Sequence, residues 1–241
     1  MSGDSAVICV DGPSGAGKGT LSQGLATRLG WHLLDSGALY RVVGWACQRR
    51  QVCLDDEAEV TQVARQLDVL FRLEPAGVSV WLEGEDVTGA VRSEQGGADA
   101  SRVAALPKVR AALLYRQQEL ARPPGLVADG RDMGTVVFPE SPLKIFLIAS
   151  PEARAKRRLD QLQGRGESVS LPRLLSDIEE RDARDQARSV SPLSPAGDAI
   201  VIDSTPLSAG EVLGKALSLA IDRGLTTEIL DPRLDPALIS R

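Results

Sequence analysis

The sequence predicts an α/β fold: a five-stranded parallel sheet with helices on both faces, carrying one small inserted antiparallel β lobe. Three observations predict it. Five short, near-continuous apolar runs alternate with stretches of helical periodicity, as strands buried on both faces must. The first run stops at a glycine-rich loop that opens the first helix. One internal stretch, residues 61–105, breaks this rhythm with apolar–polar alternation and turn signals. A chain of 241 residues that is 43% apolar has material for one large core, or a core with a small appended lobe.

The elements are justified in order. AVICVD at 6–11 is apolar and β-branched, and LSQGLATRL at 21–29 then has helical spacing. HLLD at 32–35 is the second strand, and SGALYRVVGWACQ follows it as helix. Within 61–105, DVLFRL, VSVWLE and EDVTGAVR alternate and are separated by turn signals such as Pro75-Ala76-Gly77, which predicts a small antiparallel sheet. Helix returns at 106–121, where Leu106, Val109, Leu113, Leu114 and Leu120 share a face. GLVADG at 125–130, LKIFLIA at 143–149 and AIVIDS at 199–204 supply the remaining strands. Residues 151–188 read as two polar helices split by QGRGESVS, a hinge-like link of the kind that covers active sites. Residues 222–241, with Pro232 and Pro236, read as a loosely ordered tail.

Composition removes several function classes. The net charge is -5, so no general field draws the chain to nucleic acid or anionic lipid. The three cysteines, Cys9, Cys47 and Cys53, have no Cys-x-x-Cys spacing, which fits a reducing compartment and no structural zinc. No basic, apolar leader and no run of membrane-span length is present, so the expectation is a cytoplasmic protein with no membrane partner. The single histidine, His32, sits within the second strand and is expected to pack rather than catalyse. Arginine makes up 23 of the 28 basic residues; genome composition explains such a surplus as readily as anion handling does, so each arginine is argued by position.

The strongest motif is Gly12-Pro13-Ser14-Gly15-Ala16-Gly17-Lys18-Gly19-Thr20, between the first strand and the first helix. Its G-x-x-x-x-G-K core is a P-loop: glycines let backbone N–H groups converge on phosphates, the helix N-terminus adds positive potential, and Lys18 reaches the outer phosphates. A nucleoside triphosphate is the expected ligand. Gly19 stands where a Ser or Thr usually ligates magnesium, so no direct metal ligand is predicted there, and Thr20 acts at most through phosphates or water. The loop alone is compatible with an ATPase, a nucleotide switch or a small-molecule kinase. The chain has no Asn-Lys-x-Asp guanine-reading motif, which disfavours a GTPase.

GPSGAGKGT at 12–20, WHLLDSGALYR at 31–41, LEGEDVTGAVR at 82–92, DGRDMGTVVFP at 129–139 and EERDARDQARSVSPL at 179–193 occur in one order. From about residue 6 to 221 the chain resembles the bacterial cytidylate kinases among the nucleoside monophosphate kinases. The resemblance implies a P-loop kinase fold and Mg²⁺-assisted transfer of the ATP γ-phosphoryl group to CMP and dCMP. A sibling kinase with UMP or a small alcohol as acceptor is the first alternative, and a nucleotide-binding switch without turnover the second. It implies Lys18, Arg131, Arg188 and Asp129 as catalytic groups, and the loop with Arg157 on ATP. It also implies that Ser36, Tyr40, Arg41, Ser101, Arg110, Arg131, Asp132, Arg181, Asp185 and Arg188 bind the acceptor.

Without the resemblance, each has a competing reading: Arg41 as a solvated first-turn arginine, Asp129 before Gly130 as a turn residue, and 179–188 as a salt-laced exposed helix. On that helix Arg181, Asp185 and Arg188 fall at i, i+4 and i+7. Arg154, Arg157 and Arg158 begin the preceding helix, any of them able to close onto ATP. The expected organisation is 1–60 P-loop core, 61–105 monophosphate-binding lobe, 106–150 core continued, 151–188 lid and acceptor helices, 189–221 last strand and helix, and 222–241 tail. The expected partners are small molecules, with no nucleic acid, acting on a monomer.

Overall fold

The computed structural model describes residues 5–74, 77–164, 166, 168–188 and 190–226. They form two compact units, one of residues 5–6 with Ala26–Ala128, the other of Val7–Leu25 with residues 129–226. In chain order the elements are β1 (Val7–Asp11), α1 (Lys18–Leu29), β2 (His32–Asp35), α2 (Ser36–Arg49), α3 (Glu57–Gln66), β3 (Val69–Glu74), β4 (Gly77–Leu82) and β5 (Glu85–Asp86). Then come α4 (Thr88–Val91), α5 (Glu94–Val103), α6 (Pro107–Gln118), β6 (Leu126–Asp129), a π-helical turn (Met133–Val137), β7 (Leu143–Ile148), α7 (Pro151–Gln163), α8 (Leu171–Gln186), β8 (Ile200–Asp203) and α9 (Ala209–Asp222). The five apolar runs are the five strands of one parallel sheet, in the order β2-β6-β1-β7-β8. Ile8 stands opposite Leu143 and Asp11 opposite Phe146, while Ile145 stands opposite Ile200.

The first unit packs α2, α3, α5 and α6 around Val42, Val43, Val60, Val103, Val109 and Leu113. Asp35 caps α2 by accepting from the Ala38 N–H at 2.9 Å. α2 and α5 approach closely because residue 44 is glycine: a Cβ there would stand 2.9 Å from the Asp99 Cβ. The antiparallel sheet β3-β4-β5 is narrower than the 61–105 expected for it. Residues 57–66 are helical, with Asp56 accepting from Ala58 and Glu59 N–H groups and Val60, Val63 and Ala64 buried on one face. Residues 94–103 are also helical, starting at the Ser93 cap on Gly96 N–H. EDVTGAVR yields only a two-residue strand before α4, because Thr88 and Asp86 side chains take backbone N–H groups and turn the chain. Pro75 and Ala76 of the expected turn lie outside the described residues.

In the second unit, Ser150 caps α7 by accepting from Ala153 N–H, and Ser208 with Glu211 forms a capping box on α9. The two polar helices α7 and α8 share a small core of Ala155, Leu162 and Leu174. Of the tail expected over 222–241, Asp222 ends α9 and Arg223 caps it and donates to the Pro142 carbonyl at 2.7 Å, while residues 227–241 lie outside the described residues. Among the described residues no helix is long and apolar enough to cross a membrane.

Candidate active site

β1 is buried throughout and delivers the chain into the glycine-rich loop. Gly12 has φ +144°, and a Cβ there would stand 2.0 Å from the Leu147 carbonyl oxygen, so only glycine lets the loop leave the sheet this close to β7. Lys18 opens α1, is 6% exposed, and donates from Nζ to the Pro13 carbonyl at 3.0 Å. The Ser14 carbonyl accepts from Arg154 Nη1 at 3.1 Å, and the Ala16 carbonyl from Ser204 Oγ at 2.9 Å and Arg157 Nη1 at 3.4 Å. With these carbonyls satisfied, the loop's N–H groups and the start of α1 are the natural donor set for an anion. A cavity of about 520 Å³ adjoins the loop, lined by Gly15, Thr20, Leu147, Arg158, Gln161 and Val212 among others, a volume suited to a nucleotide.

Positive charge converges at this loop. Burial first, then Arg131 and Arg181, push the Lys18 amine down to about 7 against the opposing pull of Asp129 and Asp11. Such crowding of cations is costly unless an anion comes to share it. Asp129 ends β6 beside the loop: a Cβ on Gly19 would stand 3.7 Å from its Oδ2.

Arg131 is held in turn by Asp185, whose Oδ2 accepts from Arg131 Nε at 3.1 Å and whose Oδ1 accepts from Arg188 Nη2. Asp185 is 1% exposed. Burial pushes its carboxyl up, but Arg131, Arg188 and Arg181 together hold it below the ordinary carboxylate range. The three-residue face expected at 181, 185 and 188 is only partly helical: α8 ends at Gln186, and Arg188, two residues beyond it, still reaches Asp185 at i,i+3 spacing.

Three features escaped the sequence. Asp11, read as a strand-end residue, is buried and accepts from Met133 N–H at 2.9 Å and Gly134 N–H at 2.8 Å. Burial pushes its carboxyl up to about 6 although both amides pull it down. Those amides open the π-helical turn, in which Asp132 O accepts from Val136 and Val137 N–H groups and Met133 O from Phe138 N–H. Among the arginines of α7, Arg154 is buried and forms a bidentate pair with Asp182 at 3.0 and 2.5 Å, besides its bonds to Ser14 and Ala149 carbonyls. Arg157, expected on ATP, gives its guanidinium to Ser204 Oγ and O as well as to Ala16 O. It thus braces the loop while lining the cavity. A single signal existed for Asp11, a carboxylate closing an otherwise apolar run; Ser204 and Asp182 carried none.

The expected acceptor residues divide between the units. Asp132, Arg131, Arg181, Asp185 and Arg188 belong to the second, and Asp132 is buried. Ser36, Tyr40, Arg41, Ser101 and Arg110 belong to the first. There Arg41 donates to the Val91 and Ser93 carbonyls at 2.9 and 3.2 Å, Arg110 lies with its guanidinium 5.6 Å from the Tyr40 ring centroid, and Ser101 bonds back to Gly97 O. Ser36 and Tyr40 are buried at the start of α2.

His32 Nε2 donates to the Pro123 carbonyl at 3.0 Å in the first unit. Cys9 and Cys47 are buried thiols, pushed by that burial up to about 12 and about 11, and Cys53 is exposed. Among the described residues no group of three or more His, Cys, Asp or Glu side chains is placed to hold a metal ion.

The family model for cytidylate kinase matches residues 8–222. The chain is 58% identical over 214 residues to the cytidylate kinase of Sodalis glossinidius, covering 89% of this chain and 94% of that protein. It is 57% identical over 218 residues to the cytidylate kinase of Photobacterium profundum, covering 90% and 96%. A further similar protein is the cytidylate kinase of Stutzerimonas stutzeri, 57% identical over 221 residues with 91% and 96% covered.

Proposed function

The chain belongs to the cytidylate kinase family, and from that premise we propose that it transfers the γ-phosphoryl group of ATP directly to CMP and dCMP, giving ADP and the diphosphates. The observation that carries the reading is the glycine-rich loop packed against β7, with the buried Lys18 at the start of the helix that follows it. Phosphoryl transfer spreads negative charge over the migrating group and asks little covalent chemistry of the protein. Fixed cations meeting that charge in a water-poor site supply the catalysis.

The loop from Gly12 to Thr20 holds the ATP phosphates, Lys18 supports the outer ones, and the 520 Å³ cavity receives the nucleoside. Arg131 and Arg188, aligned by Asp185, meet the acceptor phosphate and the transferring group. Arg41 assists at the acceptor phosphate, and Arg181 and Asp185 face the sugar. Ser36, Tyr40, Ser101, Arg110 and Asp132 recognise the nucleoside, the carboxylate of Asp132 accepting from the cytosine 4-amino group that uracil lacks. Closure of α7 and α8 excludes water that would otherwise hydrolyse ATP.

The donor set fits Mg²⁺: one half-buried carboxylate, Asp129, stands at the loop beside Gly19, and Mg²⁺ is usually held by one or two carboxylates with waters and phosphates. Bound there, the ion would neutralise phosphate charge. The enzyme acts as a cytoplasmic monomer on small molecules only, without nucleic acid.

The test is ADP release measured with no acceptor, CMP, dCMP, UMP and a small alcohol in turn. CMP and dCMP are expected to drive it. ADP formation indifferent to added acceptor, or driven best by UMP, would refute the assignment.

A further inference from the structure

The carboxylate of Asp11 joins two segments that sequence reading keeps apart. It is the last residue of β1, immediately before Gly12 of the phosphate loop. Its Oδ1 accepts from Met133 N–H at 2.9 Å and its Oδ2 from Gly134 N–H at 2.8 Å. These are the first two residues of the π-helical turn, and they directly follow Arg131 and Asp132. A short turn of this kind has orphan N–H groups at its start, and here one buried side chain takes both. The turn is also supported from below: a Cβ on Gly134 would stand 3.0 to 3.4 Å from the stem of Lys144, whose Nζ is anchored on Pro139 O and Asp198. The segment bearing Arg131 and Asp132 therefore has two fixed points, one of them on the strand that feeds the loop.

We propose that Asp11 is a positioning residue for phosphoryl transfer: by accepting both N–H groups it fixes Arg131 and Asp132 relative to the phosphate loop, so that acceptor and donor are held in one frame. The proposal rests on the reading of Arg131 and Asp132 as acceptor-binding groups. Its physical content is that a catalytic geometry is set through backbone amides by a carboxylate that touches neither substrate. A displacement of about 1 Å at such a site is worth up to about 100-fold in rate.

Asp11→Asn keeps the shape and one acceptor oxygen but turns an amide N–H₂ towards a backbone N–H, so one of the two bonds is lost. The carboxylate is held ionised against burial, which the neutral amide escapes, so the folded state is not expected to suffer. Kinetics with ATP and CMP and a thermal melt at pH 7 are measured on the wild-type chain and on the variant. The expected result is a fall of about 10- to 100-fold in kcat/KM for CMP. The KM for ATP should stay within about twofold, and the melting temperature within about 4 °C. Unchanged CMP kinetics would overturn the proposal. So would a KM for ATP that rises as much as the KM for CMP, or a variant that fails to fold, since either makes Asp11 an ordinary core residue. Failure of the wild-type chain to phosphorylate CMP would instead defeat the site reading, and this proposal with it.

Discussion

Replacing Lys18 by alanine should all but abolish turnover and yet leave the unliganded protein at least as stable as before. Lys18 is buried at the mouth of α1, with Arg131 and Arg181 pressing on the same space. Its amine is pushed from 10.5 down to about 7, whereas in the unfolded chain it titrates near its ordinary value. The folded state thus binds the proton less tightly, and the charge costs at most about 4 to 5 kcal/mol at pH 7 and below. That cost fades as pH rises from 7 to 10.5, where both states become neutral. Alanine removes it, at the loss of one hydrogen bond to Pro13 worth about 1 kcal/mol and some stem packing. The net gain, roughly 1 to 3 kcal/mol, should raise the melting temperature by about 2 to 10 °C at pH 7. The gain should shrink towards pH 10. Turnover should fall by at least about 100- to 1,000-fold, the scale for losing one preorganised electrostatic contact to a transition state. Calorimetric melts across pH, with coupled-assay kinetics, read both. A melting temperature several degrees lower at pH 7, or turnover within tenfold of wild type, would refute the reasoning.

ATP binding should take up protons near neutrality: below pH 7 Lys18 is already charged, above it the phosphates must recharge it, so affinity should fall as pH rises from 7 to 9. Titration calorimetry in buffers of different ionisation enthalpy checks this, and zero proton uptake at pH 8 would contradict it. Asp185→Ala should leave Arg131 and Arg188 confronting each other, raising the KM for CMP and altering the CMP to dCMP preference with the KM for ATP nearly constant. Removing one partner of such a buried pair costs about 3 to 5 kcal/mol, so the melt should shift down as well. Equal kinetic losses on ATP, CMP and dCMP would reduce Asp185 to a helix-holding residue. Gly12→Ala should abolish ATP binding and lower stability, because its Cβ would sit 2.0 Å from Leu147 O; a variant that still binds ATP normally would show that the loop can leave the sheet by another route.

What the sequence disclosed and what it hid follow from the range of the forces involved. The central strands were legible because parallel strands buried on both faces are nearly all apolar, as VICVD and LKIFLI are apart from Asp11 and Lys144. The phosphate loop was legible because a positive-φ backbone packed against β7 leaves few residue types to choose from. α3 and α5 were hidden by neighbours: in 57–66 and 94–103 the apolar positions are few and sit beside alternating strands, so the capping side chains of Asp56 and Ser93 decide the structure. The π-helical turn was hidden because its support is remote, an aspartate more than a hundred residues upstream. The same holds for Arg154, whose partner Asp182 lies on another helix and whose bond to Ser14 reaches back to the loop. Arg188, expected on the helical face, lies two residues past the helix end and donates to Asp185 from there.

The central claim is that this site passes a phosphoryl group from ATP directly to cytidine monophosphate. Incubating the purified chain with ATP labelled at the γ-phosphorus, CMP and Mg²⁺, then separating nucleotides from inorganic phosphate, tests it most directly. The label is expected in the terminal phosphate of CDP, in amounts equal to the ADP formed. Label recovered as inorganic phosphate, with CMP unchanged, would contradict it.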